Sequence, residues 1–178
     1  MATPAAAFAQ LAAELENEGL NPQNGAKVGT ELAKTFTVQP DEVAVLKLDK
    51  GHLHFVYPEK LHQVGSIPIN TSTSVAARTA NTKRAEAINN FAQTKHASVF
   101  ESVELGAKKP EQLGQKHEKH THVIQKLMSV PVLGPAGVVG VIQISRKGTS
   151  APAAGSDFTQ TDLQKLVAIA TSLAKCFK

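Results

Sequence analysis

The chain has 178 residues, a formal net charge of +4 and 42% hydrophobic residues. This length and apolar content predict one domain with a buried core, and no apolar run reaches the ~20 residues of a membrane span. Aromatic residues are only 4% of the chain, which argues against a surface that stacks on nucleic-acid bases. The single cysteine, Cys176, excludes an intrachain disulfide and a cysteine-rich zinc site.

The N-terminus lacks the basic region and long apolar core of a signal peptide. We therefore expect a cytoplasmic protein with no membrane partner and no direct nucleic-acid partner. Positive residues are not gathered in one block, so nonspecific attraction to anions is the most that the charge implies.

Two amphipathic helices are predicted first. One covers residues 4 to 18, and the other follows a break at residues 19 to 24 and ends before Pro40. The apolar residues that recur at helical spacing are Phe8, Leu11, Ala12 and Leu15 in the first helix, and Val28, Leu32, Ala33 and Phe36 in the second. We assign residues 1–24 to an N-terminal helix and its connection, and residues 25–178 to the main domain.

A β-hairpin is predicted over residues 43 to 57, with turn chemistry at Asp49-Lys50-Gly51. Its returning strand alternates apolar and polar residues. Because successive side chains of a strand point to opposite faces, this predicts Leu53, Phe55 and Tyr57 on one face.

A short strand and a short helix are predicted next. The strand covers residues 66 to 69 and includes Pro68, which restricts it to an edge or an irregularity. A run of capping residues then ends at Ser74, so we predict a helix that begins after Ser74. Residues 86 to 88 are compatible with a brief strand, and residues 101 to 121 with a long mobile loop.

The second hairpin is predicted over residues 123 to 145. Both of its faces are apolar, which is typical of a sheet covered on both sides. Strict alternation places Val138 with Ile142 on one face and Val139 with Val141 on the other.

A linker rich in small residues at 147 to 156 leads to the last helix. Thr159 is its predicted first cap, with Asp162 completing a capping box. Its predicted apolar stripe consists of Leu163, Leu166, Val167, Ala170, Leu173, Ala174 and Phe177.

From about Gly25 to Phe177, this order of elements resembles a GAF domain. Three local matches carry the resemblance: Ser74-Val75-Ala76-Ala77-Arg78-Thr79-Ala80; Ser129-Val130-Pro131-Val132 with Gly137-Val138-Val139-Gly140-Val141-Ile142; and Phe158-Thr159 with Asp162-Leu163. The resemblance implies an α+β fold with a PAS/GAF-like antiparallel β-sheet. The N- and C-terminal helices would pack on one face, and the short helix and long loop would cover the other face and enclose a ligand pocket.

The resemblance also implies a function. We expect a sensory or regulatory domain that binds a small molecule, signals through its terminal helices, and acts through a homodimer or a partner signalling protein. The alternative is a ligandless interaction or dimerisation module whose pocket is filled. Small side chains on the sheet face beneath the short helix would favour a cavity, and large ones would favour the filled module. The two terminal apolar stripes would equally be explained by burial against the sheet.

The ligand pocket that the resemblance implies would be lined from the sheet, the short helix and the loop after it. The candidate residues are Phe55, Tyr57, Ser74, Arg78, Phe91, His96, Phe100, Met128 and Gln143, with Leu53 and Val75 beside them. Ordinary core packing is the simpler explanation for each of them.

An anionic ligand is one interpretation of this region, since a helix N-terminus beside cations can hold an anion. The residues concerned are Ser72, Ser74, Arg78, Lys83, Arg84, Lys95 and His96. The simpler interpretation is that Ser74 is a cap and the cations lie on the surface.

Other activities of the family are not indicated. Asn89-Asn90-Phe91 lacks the lysine of the cyclic-nucleotide motif, and one cysteine cannot supply the several pocket cysteines of a free methionine sulfoxide reductase. Bilin attachment would need a cysteine in the pocket region, where Cys176 is not expected. No nucleophile triad or phosphate-binding loop is present, so we expect no catalysis.

The histidines His117, His120 and His122 suggest a metal or haem site. Neighbouring lysines oppose a cation, and a solvated loop is the simpler explanation. The identity of any cofactor therefore stays open.

Overall fold

A six-stranded antiparallel sheet, with helices on both faces, is the framework of the described residues. The computed structural model describes residues 4–62, 65–70, 74–91 and 123–177. Its strands are β1 (Val43–Asp49), β2 (His52–Tyr57), β3 (Ser66–Pro68), β4 (Glu86–Ile88), β5 (Val123–Gly134) and β6 (Gly137–Gly148). Its α-helices are α1 (Pro4–Leu15), α2 (Gly25–Phe36), α3 (Glu59–His62), α4 (Val75–Thr82), α5 (Ala151–Ala154) and α6 (Gln160–Leu173).

The strand order is β3-β2-β1-β6-β5-β4, so β1 and β6 lie at the centre of the sheet. The long hairpin of β5 and β6 pairs with the first hairpin through β1. Both faces of these central strands carry apolar residues because helices cover the sheet on both sides. The predicted α+β architecture is confirmed.

We call the first surface of the sheet the terminal-helix face, defined by Val45, Val130 and Ile142, which share one hydrophobic core with residues of α1, α2 and α6. α1 packs against α6, and the predicted capping box at the start of α6 is confirmed. Thr159 Oγ1 accepts from the Asp162 amide at 3.0 Å, and an Asp162 carboxylate oxygen accepts from the Thr159 amide at 2.9 Å.

The predicted stripe of α6 is wrong at one position. Val167 is 40% exposed, and Ile169 is fully buried instead. Within the described ranges, no helix has both the length and the apolar character required to cross a membrane.

We call the opposite surface the α4 face, defined by Leu46, Leu53, Phe55, Ile67 and Val141. The residues of α4 that pack on it are Ala76, Ala77 and Ala80. Their small side chains let the helix lie close to the larger side chains of the sheet. Ser74 caps α4 as predicted, since its Oγ accepts from the Ala77 amide at 3.1 Å.

A bulge in β2 changes which face its last residues occupy. Val45 pairs with Tyr57 and Leu46 pairs with Phe55, so Val56 is an extra residue in the ladder. Leu53 and Phe55 lie on the α4 face, whereas Tyr57 packs on the terminal-helix face. The expectation that Tyr57 shares a face with Phe55 is wrong, because alternation breaks at the bulge.

A second irregularity lies in β6. Val132 pairs with Gly140 and Leu133 with Val138, which leaves Val139 as the extra residue. Val138 therefore lies with Val141 on the α4 face, and Val139 lies with Ile142 on the terminal-helix face. The predicted grouping of these four residues is wrong for the same reason as in β2.

Candidate functional site

Three buried polar side chains form a hydrogen-bonded chain between α4 and the centre of the sheet. Thr79 lies on α4, Ser129 on β5 and Gln143 on β6, and each is at most 1% exposed. Gln143 Nε2 donates to Ser129 Oγ at 3.0 Å, and Ser129 Oγ lies 2.6 Å from Thr79 Oγ1. Thr79 Oγ1 donates in turn to the Val75 carbonyl at 2.8 Å. We call these residues the Thr79–Ser129–Gln143 chain.

The hydrogen bonds of the Thr79–Ser129–Gln143 chain all run in one donor-to-acceptor direction. A hydroxyl carries a single proton, and Thr79 donates its proton to Val75, so Ser129 must donate to Thr79. Ser129 Oγ then accepts from Gln143 Nε2, which points the amide nitrogen of Gln143 towards β5. Gln143 Oε1 is left as an acceptor.

Within the described parts of the chain, Gln143 Oε1 is a buried side-chain atom without a hydrogen-bond partner. Most buried polar atoms in proteins are paired, and an unpaired one costs about 1–3 kcal/mol. A hydrogen-bond donor from outside the described residues would therefore gain the most binding free energy by pairing with this acceptor.

Three neighbours of Gln143 on the sheet have small side chains. Ala44 is its cross-strand neighbour on β1, Ser129 is its neighbour on β5, and Ser145 lies two residues further along the same face. The other half of the α4 face is filled by large apolar residues. The small neighbours of Gln143 favour a cavity in the polar half of the face, and the large residues of the apolar half do not.

Two predicted anion-binding groups already have partners. Arg78 and Glu86 form a two-pronged ion pair with nitrogen–oxygen distances of 3.0 and 3.1 Å, and both side chains are about one-third exposed. Ser74 Oγ serves as the α4 cap. The Arg78 charge is therefore balanced within the protein.

The structure brings only part of the predicted pocket together. Phe55 lies in the core of the α4 face, Phe91 is buried beside Val75 and Leu127, and Gln143 belongs to the polar chain. His96 and Phe100 lie outside the described residues, as do His117, His120 and His122.

Two predicted lining residues lie elsewhere. Met128 is buried on the terminal-helix face because it alternates with Leu127 and Ser129 along β5. Tyr57 lies on that face because of the β2 bulge, and burial is the first cause that raises the pKa of its phenol, with Asp41 second. Neither side chain contributes to the α4 face.

Sequence reasoning missed Thr79 and Ser129. The available signals were weak: one hydroxyl in the middle of a short helix and one serine in an apolar strand. Both residue types are common at such positions, and only the fold brings them together with Gln143.

Cys176 is far from this chemistry because it belongs to the core of the terminal-helix face. Its thiol donates to the Leu173 carbonyl at 3.1 Å, and burial raises its pKa to about 11. The thiol is therefore protonated near neutral pH, which disfavours nucleophilic or redox chemistry.

A clamp joins β4 to the start of α6. Asn89 follows β4, and its Nδ2 donates to the Phe158 carbonyl at 3.1 Å while its Oδ1 accepts from the Phe158 amide at 2.8 Å. The Arg146 guanidinium lies 4.6 Å from the centre of the Phe158 ring. We call the paired bonds the Asn89–Phe158 clamp.

A concavity lies at the end of the sheet, beside the connection between α1 and α2. It has a volume of about 460 Å³, and its polar lining includes Asn21, Lys47, Asp49 and His54. Lys47 Nζ donates to the Leu20 carbonyl at 3.3 Å. Among the described residues, no group of three histidine, cysteine or acidic side chains is arranged to hold a metal ion.

No protein-family model matches the sequence, and no curated protein is significantly similar to it. Solved structures identify the fold. The GAF domain of a phosphoenolpyruvate-protein phosphotransferase from Acinetobacter is 13% identical with a TM-score of 0.63, covering 99% of this chain and 94% of that chain. The corresponding domain from Coxiella burnetii is 11% identical with a TM-score of 0.61, covering 94% and 88%.

A free methionine-R-sulfoxide reductase from Neisseria meningitidis, solved with its substrate, is also similar. It is 15% identical with a TM-score of 0.55, and the match covers 99% of this chain and 92% of that one. The chain therefore has a GAF-like fold. At these identities the likeness concerns the fold alone.

Proposed function

We propose that this protein is a cytoplasmic regulatory domain that binds a small molecule on the α4 face and signals through its terminal helices. The observation that carries the proposal is the buried, unpartnered Oε1 of Gln143 at the end of an oriented hydrogen-bond chain. Small neighbours on the sheet and the GAF-like fold, whose members often bind small molecules, support it.

Continuous contacts support a route from this site to α6. Thr79 belongs to the polar chain, and the next residue towards the N-terminus, Arg78, pairs with Glu86 on β4. The clamp then links the end of β4 to Phe158, immediately before the Thr159 cap of α6. A shift of α4 on ligand binding would reach α6 along this route, provided that its elements have two arrangements.

The output of the domain is proposed to pass through a homodimer or a partner signalling protein. The exposed side chains of α6 are uncharged: Gln160, Thr161, Gln164, Val167, Ala168 and Thr171. An exposed helix face normally carries charged residues, so this surface is suited to contact with another α6.

The domain is proposed to be non-catalytic, although a similar structure is that of an enzyme. The single cysteine lies on the face opposite α4, and its raised thiol pKa disfavours a reactive thiolate. These properties support a binding role in place of sulfoxide reduction.

The test compares the protein as purified with the same protein after unfolding, dialysis and refolding. A ligand that binds only the folded state raises the melting temperature, so the refolded sample should melt lower. A solvent extract of the purified protein, added back, should restore the difference, and an extract of buffer alone should not. Equal melting of both samples, unmoved by the extract, would contradict the proposal.

The alternative of a ligandless interaction module has one observation in its favour. The apolar half of the α4 face is closely filled, with Phe55, Leu53 and Ile67 fully buried against the alanines of α4. Such a module would melt at the same temperature before and after refolding. The same experiment therefore separates the two functions.

A further inference from the structure

We infer that the ligand of the α4 face is a neutral molecule that donates an N–H or O–H hydrogen bond to Gln143 Oε1, and that the site discriminates against carboxylates and phosphates. This inference rests on the proposed function and specifies its ligand class. It replaces the anionic interpretation that the basic residues near α4 suggested.

The direction of the polar chain fixes what Gln143 offers. Three donors make three bonds in the observed arrangement: Gln143 Nε2 to Ser129, Ser129 to Thr79, and Thr79 to the Val75 carbonyl. If the amide were reversed, the two hydroxyl protons would supply at most two of these bonds, and Nε2 would point away from Ser129. The observed orientation keeps one more bond and leaves Oε1, an acceptor, as the unpartnered atom.

An acceptor selects against anions. Carboxylate and phosphate oxygens would face the lone pairs of Oε1, and burying their charge without a counter-charge is costly. The cation on α4, Arg78, is already paired with Glu86.

A cationic ligand is disfavoured by the same reasoning. Glu86 is engaged by Arg78, and the carboxylate of the buried Glu42 accepts from the backbone amides of Gln39 and Lys147 at 2.7 and 2.6 Å. A buried cation would therefore lack a free carboxylate from these residues. A neutral donor such as an amide, an alcohol or a ring N–H fits best.

The first experiment uses two matched probe pairs on refolded protein: benzamide with benzoate, and nicotinamide with nicotinate, at equal millimolar concentrations. We expect the two amides to raise the melting temperature of the wild type and the two carboxylates to leave it unchanged. The Gln143→Met variant should lose the response to the amides because it lacks the acceptor. Gln125→Met is the matched control. Like Gln143, Gln125 is buried, but it lies on β5 and its Nε2 donates to the Gly148 carbonyl at 3.0 Å. The Gln125→Met variant should keep the response to the amides.

The second readout is the melting temperature of the empty proteins. Gln125→Met removes a paired amide and should lower it by roughly 2–8 °C, at about 2–4 °C per kcal/mol for a chain of this size. Gln143→Met removes an unpaired oxygen together with one bond, so it should stay within about 2 °C of the wild type.

Three results would overturn the inference. A fall for Gln143→Met as large as that for Gln125→Met would mean that the protein itself satisfies Oε1. Stabilisation by the carboxylates, equal to or above that by the amides, would leave ligand binding intact but refute the ligand class. No shift with any probe would also refute it, and would refute the proposed function only if refolding and the extract had no effect either.

Discussion

The buried thiol of Cys176 gives the protein a predictable pH dependence. Its pKa in the folded state is about 11, against 9.0 for an ordinary thiol. Between these values the folded state keeps a proton that the unfolded state loses. The contribution of this thiol to the free energy of unfolding is therefore complete below about pH 9 and is lost as the pH rises towards 11. The expected loss in the free energy of unfolding is about 2–3 kcal/mol.

Urea unfolding at pH 8, 9, 10 and 11 checks this prediction, with Cys176→Ala as the reference. Other groups titrate in the same pH range, so the two proteins are compared by the slope of the free energy of unfolding against pH. This slope should be shallower for Cys176→Ala. Equal slopes would mean that burial does not perturb the thiol.

Residues whose role depends on close neighbours in sequence were predictable, and residues whose role depends on strand register were not. Ser74, Thr159 and Asp162 cap helices through bonds to residues three positions away, and the sequence indicated all three. Tyr57 was assigned to the wrong face because an extra residue in a strand does not appear in its alternating pattern.

At the scale of elements, the Asn89–Phe158 clamp should decide whether α4 and α6 are coupled. In the wild type, amide hydrogen exchange over residues 158 to 163 should differ between the purified and the refolded protein, because ligand occupancy alters α6. Asn89→Ala removes both bonds of the clamp, so this difference should disappear.

Asn89→Asp is the matched control for the clamp. It keeps an acceptor for the Phe158 amide and places a carboxylate oxygen where the donor to the Phe158 carbonyl was. It should therefore retain a larger part of the difference than Asn89→Ala. An unchanged difference in Asn89→Ala would exclude the clamp as the route to α6.

The presence and order of the elements were predictable, and some of their ends were not. The region expected to be a linker after residue 147 continues β6 to Gly148 and contains the short helix α5. Ser150 Oγ accepts from the Ala153 amide at 3.3 Å, and Pro152 lies in the first turn. These local bonds form a helical turn in a segment whose composition is typical of a linker.

For the whole molecule, we predict a dimer through the exposed, uncharged face of α6. Val167→Glu places a charge at the centre of that face and should shift the protein from dimer to monomer in sedimentation velocity experiments. Leu133→Glu is the control, because Leu133 is the other large exposed apolar residue among those described, at 49%. It lies at the end of β5 and should leave the dimer intact.

The dimer prediction has two contradicting outcomes. A monomeric wild type would remove the dimer from the proposed output and leave a partner protein as the recipient of the signal. Dissociation by Leu133→Glu with no effect of Val167→Glu would place the contact at the end of β5.

The candidate site could not be predicted as a unit because its parts are distant in sequence. Thr79 and Ser129 are 50 residues apart, and Ser129 and Gln143 are 14 residues apart. The pairing of β5 with β6 and the close packing of α4 bring the three together. Gln143 alone was among the residues expected from the resemblance to GAF domains.

The measurement that tests the central claim most directly is native mass spectrometry of the wild type beside Gln143→Met, each followed by denaturation. We predict an added mass on the native wild type that is lost on denaturation and is absent from the variant, with a neutral molecule as its source. The same added mass on both proteins, or none on either, would contradict the claim that Gln143 holds a ligand on the α4 face.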